Sequence, residues 1–107
     1  MPLVYADLAR NAEAYVGQTV FYEGRASAIV EQTGSHYALQ VEVTRSPYGG
    51  WDDTVYVTCE AQGLREGDIV RLRGAVRGRH SYRGILGNTV TLPWVEATAV
   101  ERTGQVE

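Results

Sequence analysis

The chain has 107 residues, a net charge of −3 and 44% hydrophobic residues, which is the length and composition of one folded domain. Disorder is not expected, because disordered chains are poorer in apolar residues and richer in charge. Cys59 is the single cysteine, which excludes an internal disulfide and a cysteine zinc cluster. No apolar stretch reaches the roughly 18 residues of a membrane span, and no basic-then-apolar leader is legible. We therefore expect no membrane partner and a cytoplasmic location.

The basic residues are all arginine, and they are concentrated in one segment. Residues 65–83 carry six arginines and two acids, whereas residues 1–60 carry three arginines and eight acids. The net negative charge argues against a protein that coats nucleic acid through bulk positive charge. A local basic surface on an acidic protein is therefore expected.

Residues 1–17 are predicted to be helical. Apolar residues recur there at intervals of three and four, which places them on one helix face: Val4, Leu8, Ala12 and Tyr15 or Val16. Asn11 is placed to cap a second short turn, and Gly17 is placed to end it.

Five strands are predicted from alternating apolar positions and β-branched or aromatic runs. The predicted strands are residues 19–32, 36–45, 53–59, 69–79 and 89–100, the last being either continuous or split at Pro93. Gly24, in the middle of the first strand, indicates a bend or bulge. Residues 46–52 and 80–88 are predicted loops, and residues 102–107 a frayed tail.

A long, bent first strand in a set of five favours a closed barrel over an open sheet. Three segments strengthen this expectation: residues 20–26 (VFYEGRA), residues 64–70 (LREGDIV) and residues 73–76 (RGAV). They resemble the OB-fold (oligonucleotide/oligosaccharide-binding) superfamily, in which a glycine-bent first strand and a Leu-x-x-Gly-Asp-x-Val start of the fourth strand recur. The resemblance implies an all-β, five-stranded Greek-key barrel with a short N-terminal helix.

Residues 5–101 also resemble, in their layout, small stand-alone OB domains of bacterial and phage genomes. We therefore expect one domain over residues 1–107, with a helical segment at 1–17, a barrel at 18–101 and a tail at 102–107. The chain departs from many OB folds between the third and fourth strands, where residues 60–67 are too few for more than a turn.

The first candidate site is the arginine segment, in which histidine and tyrosine are interleaved: Arg71, Arg73, Arg77, Arg79, His80, Tyr82 and Arg83. In an OB barrel the fourth strand and the loop after it flank the usual ligand groove. Arginines there neutralise phosphates, and aromatic rings stack on unpaired bases. The pattern is equally typical of a solvated strand face whose arginines pair with acids such as Glu42 or Glu96.

The second candidate site is aromatic. The strand alternation points Tyr56 outward, in the middle of the potential binding sheet, while Tyr48 and Trp51 lie in the loop before it. Trp94 is predicted to belong to the core.

No catalytic arrangement is legible, and we expect neither an enzyme nor a cofactor. Asp52 and Asp53 with His36 or His80 lack the spacing of metal ligands. Cys59 takes an inward strand position, which is typical of a small buried hydrophobe.

These features predict a binding protein for single-stranded DNA or RNA, largely independent of base sequence. Its arginines would hold the backbone while Tyr56, Tyr82 and Trp51 stack on bases. The alternative is a non-enzymatic protein-interaction or assembly module, including a homo-oligomer. The reason for it is that most of the surface is acidic, and an acidic surface repels nucleic acid.

Overall fold

The computed structural model describes residues 5–105, in which five strands close into a barrel. The strands are β1 (Thr19–Thr33), β2 (His36–Arg45), β3 (Trp51–Glu60), β4 (Asp68–Arg83) and β5 (Thr89–Gln105). Their order around the barrel is β1-β2-β3-β5-β4, with β4 pairing back onto β1. β3 and β5 run parallel, and the other neighbours run antiparallel. The predicted five-stranded OB-type barrel is confirmed.

β1 bends at Gly24, as its sequence predicts, because the strand changes partner there. It pairs with β4 through residues 19–25 and with β2 through residues 25–33. Gly24 is buried, and a Cβ at this position would lie 2.9 Å from the Cγ1 atom of Val41 and closer still to the carbonyl of Glu42. Bulges between Ala26 and Ala28 and further along add to the coiling.

The barrel interior is filled by the inward positions that strand alternation predicts. Its largest fully buried side chains are Leu8, Val20, Leu39, Val41, Val55, Val57, Val70, Leu72, Val76 and Val95. Since these side chains are aliphatic, each strand presents one apolar face to the interior and one mixed face to solvent.

The N-terminal residues close one end of the barrel. Helix α1 (Tyr5–Arg10) and a 3₁₀ helix (Ala12–Tyr15) place Leu8 and Ala12 in the core, which confirms part of the predicted helix face. The structure has two short helices that meet at Asn11, so the second short turn predicted there is present, although the Asn11 side chain makes no capping hydrogen bond. Val4 lies outside the described residues.

The link between β3 and β4 is a turn, without the helix of many OB folds, and it contacts the other end of the barrel. Leu64 is buried there, and the Gly67 amide, at φ +95°, donates to the carbonyl of Ala26 over 2.8 Å. Asp68 is fully buried and accepts a hydrogen bond from the Arg65 amide at 2.9 Å. The Leu-x-x-Gly-Asp-x-Val segment thus fixes how β4 begins.

β4 and β5 extend beyond the barrel as a two-stranded hairpin. Residues 79–83 pair with residues 89–93, so the predicted loop over 80–88 is wrong for 80–83, which are strand. Pro93 does not split β5, which runs unbroken from Thr89 to Gln105. Glycines at 84 and 87 make the turn, in which the Gly87 amide donates to the carbonyl of Gly84.

Two further boundaries differ from the sequence prediction. Trp51 and Asp52, predicted as loop, begin β3, because they pair with Arg45 and Thr44 of β2. Residues 102–105, predicted as tail, belong to β5, since Arg102 pairs with Val70 and Gln105 with Asp68. Among the described residues, no helix is both long and apolar enough to cross a membrane.

Candidate functional site

Three aromatic side chains meet on the outer face of the barrel. The rings of Tyr56 and His80 stack with centroids 3.7 Å apart and planes 9° apart. The Trp94 indole meets both rings edge-on, at 6.0 Å from Tyr56 and 6.5 Å from His80. We call these three residues the aromatic cluster.

Strand pairing places this cluster. Tyr56 of β3 lies opposite Trp94 of β5, and Trp94 lies opposite Gly78 of β4, two residues before His80. Because Val55 and Val57 fill the core, Tyr56 faces outward, as the alternation predicts. Gly78 is buried with φ +106°, and a Cβ at this position would lie 3.9 Å from Cγ2 of Val16.

The prediction that Trp94 belongs to the core is wrong. The inward positions of β5 are taken by Val95 and Ala97, so Trp94 is half-buried on the outer face. Its Nε1 donates a hydrogen bond to the Thr58 hydroxyl at 3.0 Å. This bond satisfies the polar edge of the indole and leaves its ring faces for packing.

The hairpin separates the aromatic residues of the predicted arginine site from two of its arginines. Alternation puts His80 and Tyr82 on one face and Arg79 and Arg83 on the other. Arg79 faces the N-terminal helices, where it lies 3.4 Å from the carboxylate of Glu13 and donates to the carbonyl of Arg10.

Arg71 and Arg73 lie on a different side of the barrel, formed by β1, β4 and β5. They line an open groove of about 380 Å³ together with Phe21, Leu72, Ala99, Val100 and Glu101. Arg71 lies 3.6 Å from Glu23 in an exposed ion pair. Phe21, which the sequence reasoning did not single out, is 56% exposed in this groove.

Arg77 is the arginine of the segment that lies beside the aromatic cluster. Its Nε donates to the Oε1 atom of Glu96 at 2.8 Å, and its Nη2 donates to the same oxygen. Pairing with Glu96 is the solvated-face alternative that the sequence left open, and here it holds. Glu42, the other suggested acid, lies instead 3.8 Å from Arg25.

Acidic groups border the cluster. Burial raises the pKa of Tyr56, and the negative charge of Glu31 raises it further. Glu96 also lies near Trp94. The rings are therefore surrounded by acidic groups as well as by Arg77, and this face is not strongly basic.

Trp51 and Tyr48 lie apart from the cluster. Trp51 is five residues before Tyr56 along β3, or roughly 17 Å in an extended strand. The guanidinium of Arg45 lies over the Trp51 ring at 5.6 Å from its centroid, a cation–π contact. Tyr48 is 96% exposed in the loop before β3.

The polar groups near His36 do not form a nucleophilic site. The Ser35 hydroxyl donates to Oε2 of Glu60 at 2.7 Å, and Nδ1 of the His36 imidazole lies 3.2 Å from Oε1 of the same carboxylate. Burial, with Glu60 nearby, raises the pKa of Cys59 to about 11, which favours the protonated thiol at neutral pH. Within residues 5–105 no three metal-ligating side chains come together.

No protein-family model matches the sequence, and no curated protein matches it. Solved structures do. The mitochondrial single-stranded DNA-binding protein Rim1 of S. cerevisiae superposes with a TM-score of 0.55 at 10% identity, over 84% of this chain and 98% of that one. A small single-stranded DNA-binding protein from Streptomyces coelicolor gives 0.53 at 16% identity, over 80% and 94%.

Aspartyl-tRNA synthetase from Entamoeba histolytica gives a TM-score of 0.65 at 14% identity, over 100% of this chain and 22% of that one. The whole chain thus corresponds to about a fifth of that enzyme. With the barrel order described above, these similarities define the chain as an OB fold, and at such identities they define the fold alone.

Proposed function

We propose that this protein binds single-stranded nucleic acid, without strong base preference, on the outer face of β3, β5 and the base of the β4–β5 hairpin. The observation that carries the proposal is the aromatic cluster of Tyr56, His80 and Trp94. Every base has a π-face, so stacked aromatic rings accept unpaired bases in any order, at about 1–3 kcal/mol per base. The two neighbouring structures whose names state single-stranded DNA binding support it.

Arg77 is the arginine that can contact phosphates on this face, because alternation puts Arg83 on the opposite face of the hairpin. The guanidinium of Arg77 is paired with the carboxylate of Glu96, and Glu31 adds a negative charge beside Tyr56. Binding is therefore expected to be led by stacking, with a modest salt dependence from few phosphate contacts. Arg71 and Arg73, on the β1–β4–β5 side, contact only a strand long enough to pass around the barrel.

The proposed role is binding and not catalysis. The proposal also keeps the cytoplasmic location and the bacterial or phage source that the sequence suggests. A reducing compartment suits a chain whose single thiol, Cys59, is buried and unpaired.

The test is fluorescence anisotropy of a labelled oligothymidine of about eight nucleotides, within the usual range for one OB fold, titrated with wild type, Tyr56→Ala and Phe21→Ala. Phe21→Ala is the matched control, because it removes an exposed aromatic ring from the other side of the barrel. We expect Tyr56→Ala to weaken binding by about 5- to 150-fold, the equivalent of 1–3 kcal/mol, and Phe21→Ala to leave it unchanged.

Absence of binding by the wild type at about 50 mM salt, where phosphate contacts are strongest, would refute the proposal. Equal losses in the two variants would show that this face is not the interface.

A protein-assembly role has a separate observation in its favour. Ile85 and Leu86, at the tip of the hairpin, are fully exposed, which is unusual for adjacent aliphatic residues.

A further inference from the structure

The tip of the β4–β5 hairpin presents two aliphatic side chains on a hydrogen-bonded turn. The Gly87 amide donates to the carbonyl of Gly84 at 3.0 Å, so Ile85 and Leu86 occupy the two central positions of a β-turn. Gly87 follows with φ +84°, which is the arrangement of a three-residue hairpin loop closed by a left-handed glycine. Both aliphatic side chains are fully exposed, so they project into solvent from a loop of defined shape.

The folding of the hairpin does not require aliphatic residues at these two positions. The central positions of turns are usually taken by proline, aspartate, asparagine or serine, and this loop needs glycine only at position 87. Ile85 and Leu86 bury no surface in the single chain. Adjacent exposed aliphatic residues therefore indicate a contact with another molecule.

The charge of the hairpin indicates what kind of molecule this is. Residues 69–95 contain five arginines and no aspartate or glutamate, in a chain whose net charge is −3. Two copies that met through their hairpin tips would bring like charges together, which disfavours association. A polyanion is attracted by the same charges. Charge complementarity thus favours nucleic acid as the ligand of the tip.

One face of the hairpin connects the tip with the aromatic cluster. His80 and Tyr82 share this face, and His80 stacks on Tyr56. Tyr82 is exposed and lies two residues nearer the tip, which is roughly 7 Å along the strand. A single strand that stacks on the cluster is therefore led along this face towards Ile85 and Leu86.

The opposite face of the hairpin carries positive charge. Arg83 is exposed on this face, directly before the turn. Arg79 shares the face but is held against the N-terminal helices by Glu13 and the carbonyl of Arg10. Arg83 is thus placed to contact the phosphates of a strand that does not follow the aromatic face. Rings on one face, a cation on the other and an apolar tip between them suit the point where two paired strands separate.

We propose that the hairpin tip binds the end of a duplex, at a junction between single-stranded and double-stranded nucleic acid. Ile85 and Leu86 cover the exposed face of the terminal base pair, since isoleucine and leucine are among the apolar side chains that proteins place against base steps. The single strand leaves along the aromatic face, and Arg83 contacts phosphates of the complementary strand. This inference rests on the proposed function, because the aromatic cluster must hold the single strand.

Fluorescence anisotropy with two kinds of labelled ligand tests the inference. One is an oligothymidine of about eight nucleotides, and the other carries the same oligothymidine as a 5′ or a 3′ tail on a DNA duplex whose far end is closed by a loop. Wild type should bind one of the tailed duplexes at least about tenfold more tightly than the oligothymidine. The double variant Ile85→Ser with Leu86→Ser should lose this preference and keep the wild-type affinity for the oligothymidine within about twofold.

Phe21→Ser is the matched control. It makes the same change from an exposed apolar side chain to serine, on the other side of the barrel, and should keep the preference for the tailed duplex. The double variant retains every charge of the wild type. A lost preference is therefore not explained by the additional phosphates of the duplex.

A fluorescent base at the junction gives a second measurement. With 2-aminopurine in the terminal base pair, the emission should change when wild type is added and stay constant with the double variant. With the probe in the middle of the duplex, neither protein should change it.

Equal affinities of wild type for the oligothymidine and both tailed duplexes, or a preference that the double variant retains, would overturn this inference and leave single-strand binding standing. Absence of binding to every ligand would overturn the proposed function as well. A dimer, or a complex with vesicles of anionic phospholipid, that the double variant loses while no junction preference is seen would also overturn it and assign the tip to a protein or a membrane.

Discussion

The imidazole of His80 lies flat on the phenol ring of Tyr56, with centroids 3.7 Å and planes 9° apart. The two residues belong to β4 and β3, which are separated in the barrel by β5. A histidine in the hairpin therefore fixes the ring at the centre of the aromatic cluster. One face of Tyr56 is already covered, so a base that joins this stack adds to its free end.

The stack makes a prediction about His80. His80→Ala removes one ring of the pair and should lower the free energy of unfolding by about 0.5–1.5 kcal/mol, the usual contribution of such a contact. His80→Phe keeps an aromatic ring and should retain most of it. Urea unfolding measures both. Equal stability of His80→Ala and wild type would mean that the stack contributes nothing in solution.

The ion pair beside Trp94 predicts how charge tunes binding. Glu96→Gln frees the guanidinium of Arg77 and removes a negative charge from the face, so affinity for an oligonucleotide should rise by up to about fivefold. Arg77→Gln should lower affinity and flatten the dependence on salt. Anisotropy titrations at two salt concentrations separate the two effects. A Glu96→Gln variant that binds more weakly would contradict this role of Arg77.

The bend of β1 predicts a stability effect. Gly24→Ala places a methyl group against the carbonyl of Glu42 and 2.9 Å from a methyl of Val41, so it should destabilise the fold by about 1–3 kcal/mol. Gly50→Ala is the control, because a Cβ there meets nothing within 4 Å. Urea unfolding of both variants gives the comparison, and equal stabilities would show that β1 relaxes without cost.

The burial of Cys59 predicts a slow reaction with thiol reagents and a pH dependence of the free energy of unfolding. Burial raises the pKa of Cys59 from 9.0 to about 11, so native protein should resist a thiol reagent at pH 8 that labels urea-unfolded protein at once. Because the folded pKa is the higher one, the thiol's contribution to stability is full below pH 9 and is lost as the pH rises towards about 11. Rapid labelling of native protein would contradict the burial of this thiol.

The barrel was predictable because its strands alternate cleanly and its turns carry glycine. β2 begins and ends where the alternation predicts, at His36 and Arg45. The hairpin was not predictable, because glycines at 84 and 87 and a proline at 93 are typical of a loop. In the structure, pairing across the two strands makes residues 80–83 part of β4. The local sequence does not show which residues will pair across the two strands.

The site was predictable in part, for a similar reason. Alternation placed Tyr56 correctly, because both its neighbours are core valines. It did not place Trp94, since the proline before it obscures which positions of β5 face inward. The arginines lie close together in sequence, but a bulge between Val76 and Gly78 and the alternation of the hairpin distribute them over separate surfaces.

The claim that the aromatic cluster is the nucleic-acid interface has one direct test. The protein contains two tryptophans, so a ¹⁵N–¹H spectrum has two indole signals, which Trp51→Phe assigns. Adding an oligothymidine should shift the Trp94 signal, whose N–H is held by Thr58, progressively and to saturation. A Trp94 signal that stays in place at saturating oligonucleotide would contradict the account.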